Sequence, residues 1–463
     1  PVATPSAELR AARSDAMRMG EQMRRAFVDL VAAECASRAV LIALEDLHWG
    51  DAATVKTLDL TLRELHERPL VVLALARPEV RETFPTLWSS VRLTEIALGE
   101  LSRKASVELV RAALGDTLAP DILAAVVGRA AGHAFYLEEL IRAVAEGRGA
   151  ELPDTVLAMV DARLDALDPG DRRVLRAASV FGEVFWTGGV AELVGADVAP
   201  ARLDATLAGL VEREVIERRH GARFAGQDEY AFRHGLVREA AYRRLTDADL
   251  ILGHRLAGAW LERAGETDAS ALAGHFDRGK APERAVRWYV RAGQDALAGA
   301  SFERAIAVAG CGLACGAVGL DRGLLRLIEC EAHVMRFELA DCERTGAEAL
   351  ALLARGSGHW FGALGAVSMA STSLGHSERA VSVLQDLLGA EPDPGATRSC
   401  LMGYCWAAMT LSYSGLYPAV EGLHERAVDL CARASPDDRA AAAFLAQLRY
   451  WAAATEDDPW RRF

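Results

Sequence analysis

Two neighbouring acids, Glu45 and Asp46, directly follow the short apolar run Val40–Leu44. An uninterrupted apolar run of this length predicts a strand buried on both faces, as in a parallel sheet covered by helices. Open α/β sheets bind their ligands at the carboxyl ends of such strands. Carboxylates at that edge can hold a divalent cation and orient a water molecule. Glu45 and Asp46 are therefore candidate ligands of a divalent cation.

The string continues as Leu47-His48-Trp49-Gly50-Asp51, and this longer pattern is less common than an apolar run followed by two acids. It is the arrangement of the Walker B element of P-loop ATPases, in which one carboxylate holds Mg²⁺ and its neighbour orients the attacking water. The plain alternative is a buried strand that ends in a solvated turn. The apolar run and the acids alone favour that alternative.

A second apolar strand, Leu70–Ala76, follows a helix predicted over Thr54–Glu67, and a third strand is predicted near Leu93–Leu98. Near-continuous apolar strands alternating with helices are typical of a parallel sheet in an α/β fold. Arg77 lies at the tip of the second strand, where a guanidinium can approach a γ-phosphate. An arginine that merely ends a strand is the alternative. Before the first strand, residues 7–36 have the spacing of one or two amphipathic helices.

The pattern then becomes helical, with helices predicted over Ser102–Leu114, Ala119–Ala130 and Phe135–Glu146. Ser102 and Asp121 are predicted to be N-terminal caps. The turn Gly132-His133-Ala134 lies between the last two helices, and its glycine allows the backbone to approach a ligand closely. The alternative is an ordinary corner between two helices.

Residues 153–234 predict four helices and then two strands, Val215–Arg219 and Tyr230–Arg233, which is the outline of a winged helix. The helix before the hairpin, Ala201–Glu214, alternates acids with arginines and offers no basic face, so DNA binding is not expected. A winged helix that is used as a packing module fits the sequence better than one that binds DNA. His234 is predicted to lie at the start of the next helix, where a lone histidine usually has a structural role.

Beyond residue 269, pairs of helices recur with a period slightly longer than the standard tetratricopeptide repeat of about 34 residues. The second helices of the pairs are predicted to begin near Phe302, Asp341, Ser377 and Tyr417. Their small residues Ala305, Ala380 and Ala427 suit close helix crossings. This pattern predicts a tetratricopeptide-like α-solenoid, which binds a protein or peptide partner or associates with itself.

The bulk composition excludes several classes of protein. A chain of 463 residues needs two to four domains, and its net charge of −13 argues against coating nucleic acid. No signal peptide or membrane-spanning run occurs. The eight cysteines form no Cys-x-x-Cys pair, which favours reduced thiols in a cytoplasmic protein.

These strings occur in one order that resembles the STAND class of signalling ATPases: Leu44–Asp51, Ala76–Glu79, Gly132–Leu140, Phe232–His234 and helical repeats. The chain looks most similar to the large bacterial branch in which the ATPase is joined to a serine/threonine kinase, a cyclase or a transcriptional helix-turn-helix. The resemblance implies part of a P-loop ATPase core over residues 1–100 and a helical lid over 101–150. It also implies a winged helix with following helices over 151–268, and tetratricopeptide-like repeats over 269–463.

The resemblance also implies ATP or ADP with Mg²⁺ as cofactors and gives the site residues their roles. Glu45 and Asp46 would be the Mg²⁺ and water-positioning acids, and Arg77 the sensor arginine. The turn Gly132, His133 and Ala134 would contact the nucleotide, although Ala134 replaces the proline usual there. His234 would match the winged-helix histidine that touches the β-phosphate and holds the inactive state.

The sequence departs from the family pattern because it contains no P-loop. None of its lysines (Lys56, Lys104 and Lys280) lies in a Gly-x-x-x-x-Gly-Lys-[Ser/Thr] context. We therefore expect the chain to be a fragment that alone neither binds ATP tightly nor hydrolyses it. The whole protein is expected to be a nucleotide-dependent signalling switch. A tetratricopeptide scaffold with a degenerate ATPase portion is the main alternative, and a DNA-binding regulator is a third.

Overall fold

The computed structural model describes residues 16–115, 118–145, 147, 155–195, 198–413, 417–433 and 439–453, and these are mostly helical with few strands. The described residues form two compact units. The first contains those of Pro1–Leu93, Asp268–Ala273 and Pro282–Phe463, and the second those of Thr94–Thr267 and Gly274–Ala281. The four predicted domains stay a prediction, and their boundary at residue 150 lies outside the described residues.

The first unit begins with helices and strands that alternate along the chain. They are α1 (Ala16–Ser37), β1 (Val40–Leu44), α2 (Ala52–Glu64), β2 (Leu70–Ala74) and the short α3 (Val80–Thr83). Residues 7–15 of the predicted first helix lie outside the described residues. Strands β1 and β2 pair in parallel, with Val40 opposite Leu70 and Leu44 opposite Ala74. The predicted parallel strand–helix–strand unit is therefore confirmed.

Two expectations about this sheet are wrong. Its strands are not buried on both faces, because Leu41, Val71 and Leu73 are exposed while the residues between them are half-buried. Only one face packs on helices, as the alternating burial of both strands shows. The segment Leu93–Leu98 forms no strand, and its apolar side chains are exposed. A run of apolar residues cannot report whether a partner strand lies beside it.

The second unit is a helical region followed by a small mixed module. Its first three helices are α4 (Arg103–Leu114), α5 (Pro120–Ala130) and α6 (Ala134–Ala145). The module that follows contains α7 (Val156–Asp165), α8 (Pro169–Ser179), β3 (Val184–Trp186), α9 (Thr187–Val194), α10 (Pro200–Glu212), β4 (Ile216–Arg218), β5 (Glu229–Phe232), α11 (Gly235–Arg243) and α12 (Asp247–Ala264). Helix α13 (Ala269–Arg278) has residues in both units.

The three short strands of the second unit form an antiparallel sheet in the order β3–β5–β4. The two strands predicted from the sequence match β4 and β5, whereas β3 was not predicted because three residues carry too little pattern. The sheet and helices α7 to α11 enclose one apolar core around Phe185, Leu207 and Leu210.

The first residues of α4 and α5 follow local sequence signals. Ser102 caps α4 as predicted, because its hydroxyl accepts a hydrogen bond from the Ala105 backbone N–H at 3.2 Å. Asp121 does not cap α5. Helix α5 instead begins with Pro120 at its first position, whose fixed φ suits a helix start, and Asp121 lies in the first turn.

The rest of the first unit is a stack of helix pairs. The first helices of the pairs are α14 (Pro282–Ala298), α16 (Gly319–Met335), α18 (Gly358–Leu374) and α20 (Thr397–Tyr413). The second helices are α15 (Phe302–Ala314), α17 (Leu339–Leu352), α19 (Ser377–Gly389) and α21 (Tyr417–Arg433), and α22 (Arg439–Ala453) follows. Each first helix packs on the next first helix, so the predicted solenoid-like stacking is confirmed. Ala305, Ala380 and Ala427 are all buried.

Within the described ranges, no helix has the length and apolar character needed to cross a bilayer. The cysteines are free thiols, and most of them are buried, although Cys311 is exposed. Cys311 and Cys315, one turn apart, belong to no cluster of metal-ligand residues in the described chain. The expectation of free rather than disulfide-bonded cysteines agrees with this arrangement.

Replacing Gly365 by alanine should destabilise the repeat region, because a Cβ there would lie 2.7 Å from the Cα of Gly403 on the next first helix. Overpacking of this kind costs about 1–3 kcal/mol in the free energy of unfolding. Gly310→Ala in α15 is the matched control, since its Cβ would meet nothing within 4 Å. Denaturant unfolding should show a loss for Gly365→Ala alone; equal stability of both variants would contradict this packing.

Asp51→Ala should weaken the start of α2, because the Asp51 carboxylate accepts hydrogen bonds from the backbone N–H and the hydroxyl of Thr54 at 2.9 and 2.8 Å. Partial burial raises the pKa of Asp51, but the Thr54 hydrogen bonds outweigh it and hold the pKa below 3.8. The cap therefore stabilises the fold above pH 3.8 and loses its effect as pH falls through the lowered pKa. Denaturation at pH 7 should show a loss of about 1 kcal/mol that shrinks in acid; a constant difference would contradict the cap.

Candidate functional site

The tips of β1 and β2 lie side by side at the carboxyl edge of the parallel sheet. Pairing continues past the strands, since the Leu75 backbone N–H donates to the Leu44 carbonyl and the Leu47 N–H to the Leu75 carbonyl, at 2.8 and 3.0 Å. Glu45 and Asp46 follow β1, and Arg77 follows β2. Parallel pairing therefore brings the predicted acids and the predicted arginine to the same edge of one sheet.

Asp46 has a left-handed backbone, with φ 52° and ψ 40°, and it precedes a single 3₁₀ turn over Leu47–Trp49. Its side chain caps nothing and is largely exposed, as is Glu45. Aspartate tolerates this conformation better than most residues. The turn leaves both carboxylates accessible to a ligand at the sheet edge.

His48 connects the two strand tips. It is buried, and its Nδ1 accepts a hydrogen bond from the Arg77 backbone N–H at 3.3 Å and lies 3.9 Å from Asp46 Oδ1. Because Nδ1 is the acceptor, the imidazole carries its proton on Nε2, which is buried without a partner in the described chain. The sequence pattern contained His48, but no role was assigned to it.

The Arg77 guanidinium lies over the exposed ring of Trp49, with Cζ 5.8 Å from the ring centroid. Within the described chain, no ion pair joins Arg77 to Glu45 or Asp46. The arginine is therefore held by its backbone and by a cation–π contact, and its charge is not neutralised by the neighbouring acids.

This edge carries two exposed carboxylates and one exposed guanidinium. Protein sites for Mg²⁺ commonly supply one or two carboxylates, and the remaining ligands are water and substrate phosphates. Glu45 and Asp46 provide such a pair, and no cluster of three or more histidine, cysteine or acidic residues occurs among the described residues. Arg77 adds a guanidinium, which suits a phosphate oxygen.

The predicted lid turn lies in the second unit. Gly132 has φ +85°, and a Cβ there would lie 2.8 Å from the carbonyl oxygen of Leu101, so the position requires glycine. The Gly132 carbonyl accepts a hydrogen bond from the Leu101 N–H at 2.8 Å. His133 and Ala134 are exposed at the start of α6, and His133 Nδ1 accepts from the Tyr136 N–H at 3.3 Å.

A cavity of about 270 Å³ lies beside this turn. Its lining includes Leu101, Val127 and Gly132, together with Ser106, whose buried hydroxyl has no hydrogen-bond partner in the described chain. Small-molecule pockets typically measure about 300–1,000 Å³. The cavity is therefore slightly smaller than a typical ligand pocket, and it contains one unpaired polar group.

His234 lies at the N-terminus of α11, as predicted, and packs against α6. Its ring centroid is 4.4 Å from that of Phe135, and its Nε2 is 4.0 Å from Glu138 Oε2. Burial lowers the pKa of His234 and outweighs the opposite effect of Glu138 and Glu139. His234 is therefore neutral at pH 7, and the structure brings it next to the turn that contains Ala134.

Helix α6 is fixed to the mixed module by a group of ion pairs that the sequence did not predict. Glu139 and Arg163 form a buried pair at 2.5 Å, and Arg163 also donates to the carbonyl oxygens of Arg213 and Glu214 at 2.8 and 3.2 Å. Arg142 bonds the Glu214 carboxylate at 2.5 Å. Glu139 thus holds α6 against the mixed module, and no residue pattern in the sequence pointed to these contacts.

The predicted site residues thus fall into two groups, one in each unit. Glu45, Asp46 and Arg77 share the sheet edge of the first unit. The second unit brings His234 next to the helix that begins with Ala134.

Comparisons with known proteins do not establish a family. No protein-family model matches the sequence. Over 297 residues the chain is 25% identical to an uncharacterized protein of Rhizobium meliloti (strain 1021), covering 59% of this chain and 28% of that protein. The chain thus spans little more than a quarter of the length of this relative.

Among solved structures, the chain is similar to a signal transduction ATPase with numerous domains (STAND) that has a tetratricopeptide repeat sensor, from Pyrococcus horikoshii. The two are 13% identical with a TM-score of 0.40, and the match covers 95% of this chain and 72% of that one. A similarity this low places no residue and assigns no role.

Glu139→Gln should strongly destabilise the second unit, because it removes the carboxylate charge from the buried ion pair with Arg163. Breaking a buried ion pair from one side costs about 3–5 kcal/mol. The control is Glu192→Gln, which breaks the more exposed pair of Glu192 with Arg263 at 2.8 Å. That change should alter stability by less than about 1 kcal/mol. Similar losses in thermal unfolding for both variants would contradict the anchoring role of Glu139.

Proposed function

We propose that this chain is part of a nucleotide-dependent signalling switch. Its sheet edge would bind the Mg²⁺ ion and phosphates of ATP or ADP, and its helical repeats would bind a protein or peptide partner. The observation that supports this most is the position of His48, which follows the first strand tip beside Asp46 and accepts a hydrogen bond from the backbone N–H of Arg77 at the second.

In this proposal, Asp46 is the residue that holds Mg²⁺ and Glu45 the residue that positions water, and both carboxylates are exposed. Arg77 would contact a phosphate, because its charge has no acidic partner in the described chain. When bound, the Mg²⁺–nucleotide group would supply the charge that draws these three side chains together. His48 and Trp49 would keep the arginine in place before the ligand arrives.

The second unit would contribute the lid. We propose that Gly132, His133 and Ala134 contact the nucleotide, since the turn is exposed and adjoins a cavity that contains the unpaired hydroxyl of Ser106. His234 would be the phosphate-contacting histidine as a neutral N–H donor. The hairpin β4–β5 follows the helices α7 to α10 and pairs with β3 through β5, which supports a winged helix for this module, used for packing rather than for DNA.

The identity of the whole protein is also a proposal. A bacterial signalling ATPase joined to a serine/threonine kinase or a transcription regulator, located in the cytoplasm, is the type of protein that the motif order supports. The sequence match to the Rhizobium meliloti protein covers only 28% of that protein. The output domain is therefore left open.

A scaffold function is the second candidate, and one groove favours it. Helices α17 and α19 border a groove of about 570 Å³ with charges of both signs, from Glu343, Arg344, Glu378 and Arg379. Such a groove suits a peptide that carries charges of both signs. If the chain is a scaffold, partner binding does not depend on nucleotide. Arg344→Glu, which reverses one charge of the groove, should then abolish partner binding and leave nucleotide binding unchanged.

Asp46→Asn tests the nucleotide proposal, because asparagine tolerates the left-handed backbone but loses the charge that binds Mg²⁺. Calorimetric titration of the full-length protein should show at least a tenfold weaker affinity for Mg²⁺–ADP. Without Mg²⁺, the affinity for ADP should match that of the unchanged protein. The control is Glu79→Gln, which removes an exposed acid two residues after Arg77 and should change neither value.

Two results would contradict the proposal. One is a full-length protein that binds ADP with the same affinity in the presence and absence of Mg²⁺. The other is an equal loss of affinity in Asp46→Asn and Glu79→Gln, because the effect would then reflect only net charge.

A further inference from the structure

A concentration of positive charge lies in the second unit, and the residues that form it have not been described above. A cleft of about 420 Å³ opens between the end of α8, helix α11, helix α12 and the C-terminal part of α13. Its volume is in the range of small-molecule pockets. The side chains that give it chemical character are Arg238, Tyr242, Arg243, His254, His275 and Arg278.

The floor of the cleft is a chain of three hydrogen-bonding side chains. The Tyr242 hydroxyl lies 2.7 Å from His254 Nε2, and His254 Nδ1 lies 3.1 Å from His275 Nδ1. Both histidines are buried, with 1% and 5% of their surface exposed. Two imidazoles this close share one proton between their Nδ1 atoms, so one must donate and the other accept.

His254 and His275 are both neutral at physiological pH. Burial lowers the pKa of His254 to about 3 and that of His275 to about 4, and the nearby charge of Arg278 acts in the same direction. The cleft is therefore lined by imidazoles without the cost of burying their charge, and His275 Nε2 is the ring nitrogen that neither of these two hydrogen bonds uses.

The tyrosine determines which way the protons point. When Tyr242 donates to His254 Nε2, His254 must donate through Nδ1 to His275. The proton of His275 then lies on Nε2, where it remains available to a group in the cleft. In the reversed arrangement, His275 Nε2 is an acceptor instead. An anion in the cleft would select the first arrangement, because only that one provides a donor.

The rim of the cleft is positive. Arg243 is paired with Glu239, but neither Arg238 nor Arg278 has an acidic partner in the described part of the chain. The Arg238 guanidinium lies over the Tyr242 ring, with Cζ 5.8 Å from its centroid. Arg278 donates only to the Gly274 carbonyl, at 3.0 Å. The guanidiniums of Arg238, Arg243 and Arg278 and the single carboxylate of Glu239 give the rim a net positive charge. The floor below it is made of neutral side chains.

We propose that this cleft binds a small anion that carries a phosphate group. Guanidiniums bind the several oxygens of a phosphate through paired hydrogen bonds, and a neutral imidazole N–H adds a donor deeper in the site. The site does not depend on the proposed nucleotide function, because it uses no residue of the sheet edge or of the lid turn. Free phosphate and a phosphate monoester share this chemistry.

The first test is titration of the full chain with inorganic phosphate and, separately, with glycerol 3-phosphate at constant ionic strength. The double change Arg238→Ala and Arg278→Ala should weaken binding of either ligand at least tenfold. A matched control replaces Arg218 and Arg263 by alanine, which removes the same charge from the same unit outside the cleft. That control should change the affinity less than twofold. Tighter binding of the monoester than of phosphate would identify a phosphorylated metabolite as the source.

The second test examines the proton chain. Tyr242→Phe keeps the ring beneath Arg238 but removes the hydroxyl, so it should weaken phosphate binding several-fold without unfolding the chain. In ¹⁵N NMR spectra of histidine-labelled protein, phosphate should move the His275 Nε2 signal toward that of a protonated nitrogen. Asp46→Asn should leave both measurements unchanged, which separates this site from the nucleotide site.

Three results would overturn the proposal. These are no binding of either ligand by the unchanged chain, an equal loss of affinity in the control double variant, and phosphate binding that leaves the His254 and His275 signals unmoved.

Discussion

The parallel pairing of β1 with β2 is the constraint on which the proposed nucleotide site depends. Only this pairing places residues that are 31 positions apart, Asp46 and Arg77, at one edge. The hydrogen bond from the Arg77 N–H to His48 then continues the pairing beyond the last strand residues. Because every residue of β1 and β2 is apolar, a slip of one residue would still place apolar side chains against the helices, so the apolar pattern alone does not set the register. The hydrogen bonds from the Leu75 N–H to the Leu44 carbonyl and from the Leu47 N–H to the Leu75 carbonyl extend the observed register to the edge.

The second unit meets a similar requirement with charge rather than with strand pairing. Helix α6 begins at the exposed turn that contains Gly132, and it is held to the mixed module by Glu139 and Arg163. His234 packs on Phe135 of the same helix. Moving helix α6 away from the module would therefore break a buried ion pair.

Local patterns predicted much of the fold. The apolar runs predicted β1 and β2, helical spacing predicted the second helices of the repeat pairs within two residues of their observed starts, and the Ser102 cap was predicted from residue type alone. These features depend on neighbours in sequence. The exposed face of the sheet and the unpaired segment Leu93–Leu98 were mispredicted because both depend on which elements lie opposite.

The candidate site was predictable to the same extent. The order of acids, arginine and glycine turn was visible in the sequence, whereas their supports were not. Arg163 gave no signal because its partner Glu139 lies on another helix. The contact between His254 and His275 joins two helices and has no motif at all. Contacts that form only through tertiary packing are found from the three-dimensional structure. Residues that follow a strand or begin a helix can be predicted from the sequence.

The most direct test of the nucleotide site is an electron–nuclear double resonance spectrum of Mn²⁺, used in place of Mg²⁺, bound to the full-length protein with ADP. The protein would be labelled with ¹³C at its aspartate carboxylates. The proposal predicts coupling of Mn²⁺ both to the ³¹P nuclei of ADP and to a carboxylate ¹³C, with the ¹³C coupling lost in Asp46→Asn. A spectrum with ³¹P coupling but no ¹³C coupling, or with ¹³C coupling that persists in Asp46→Asn, would contradict it.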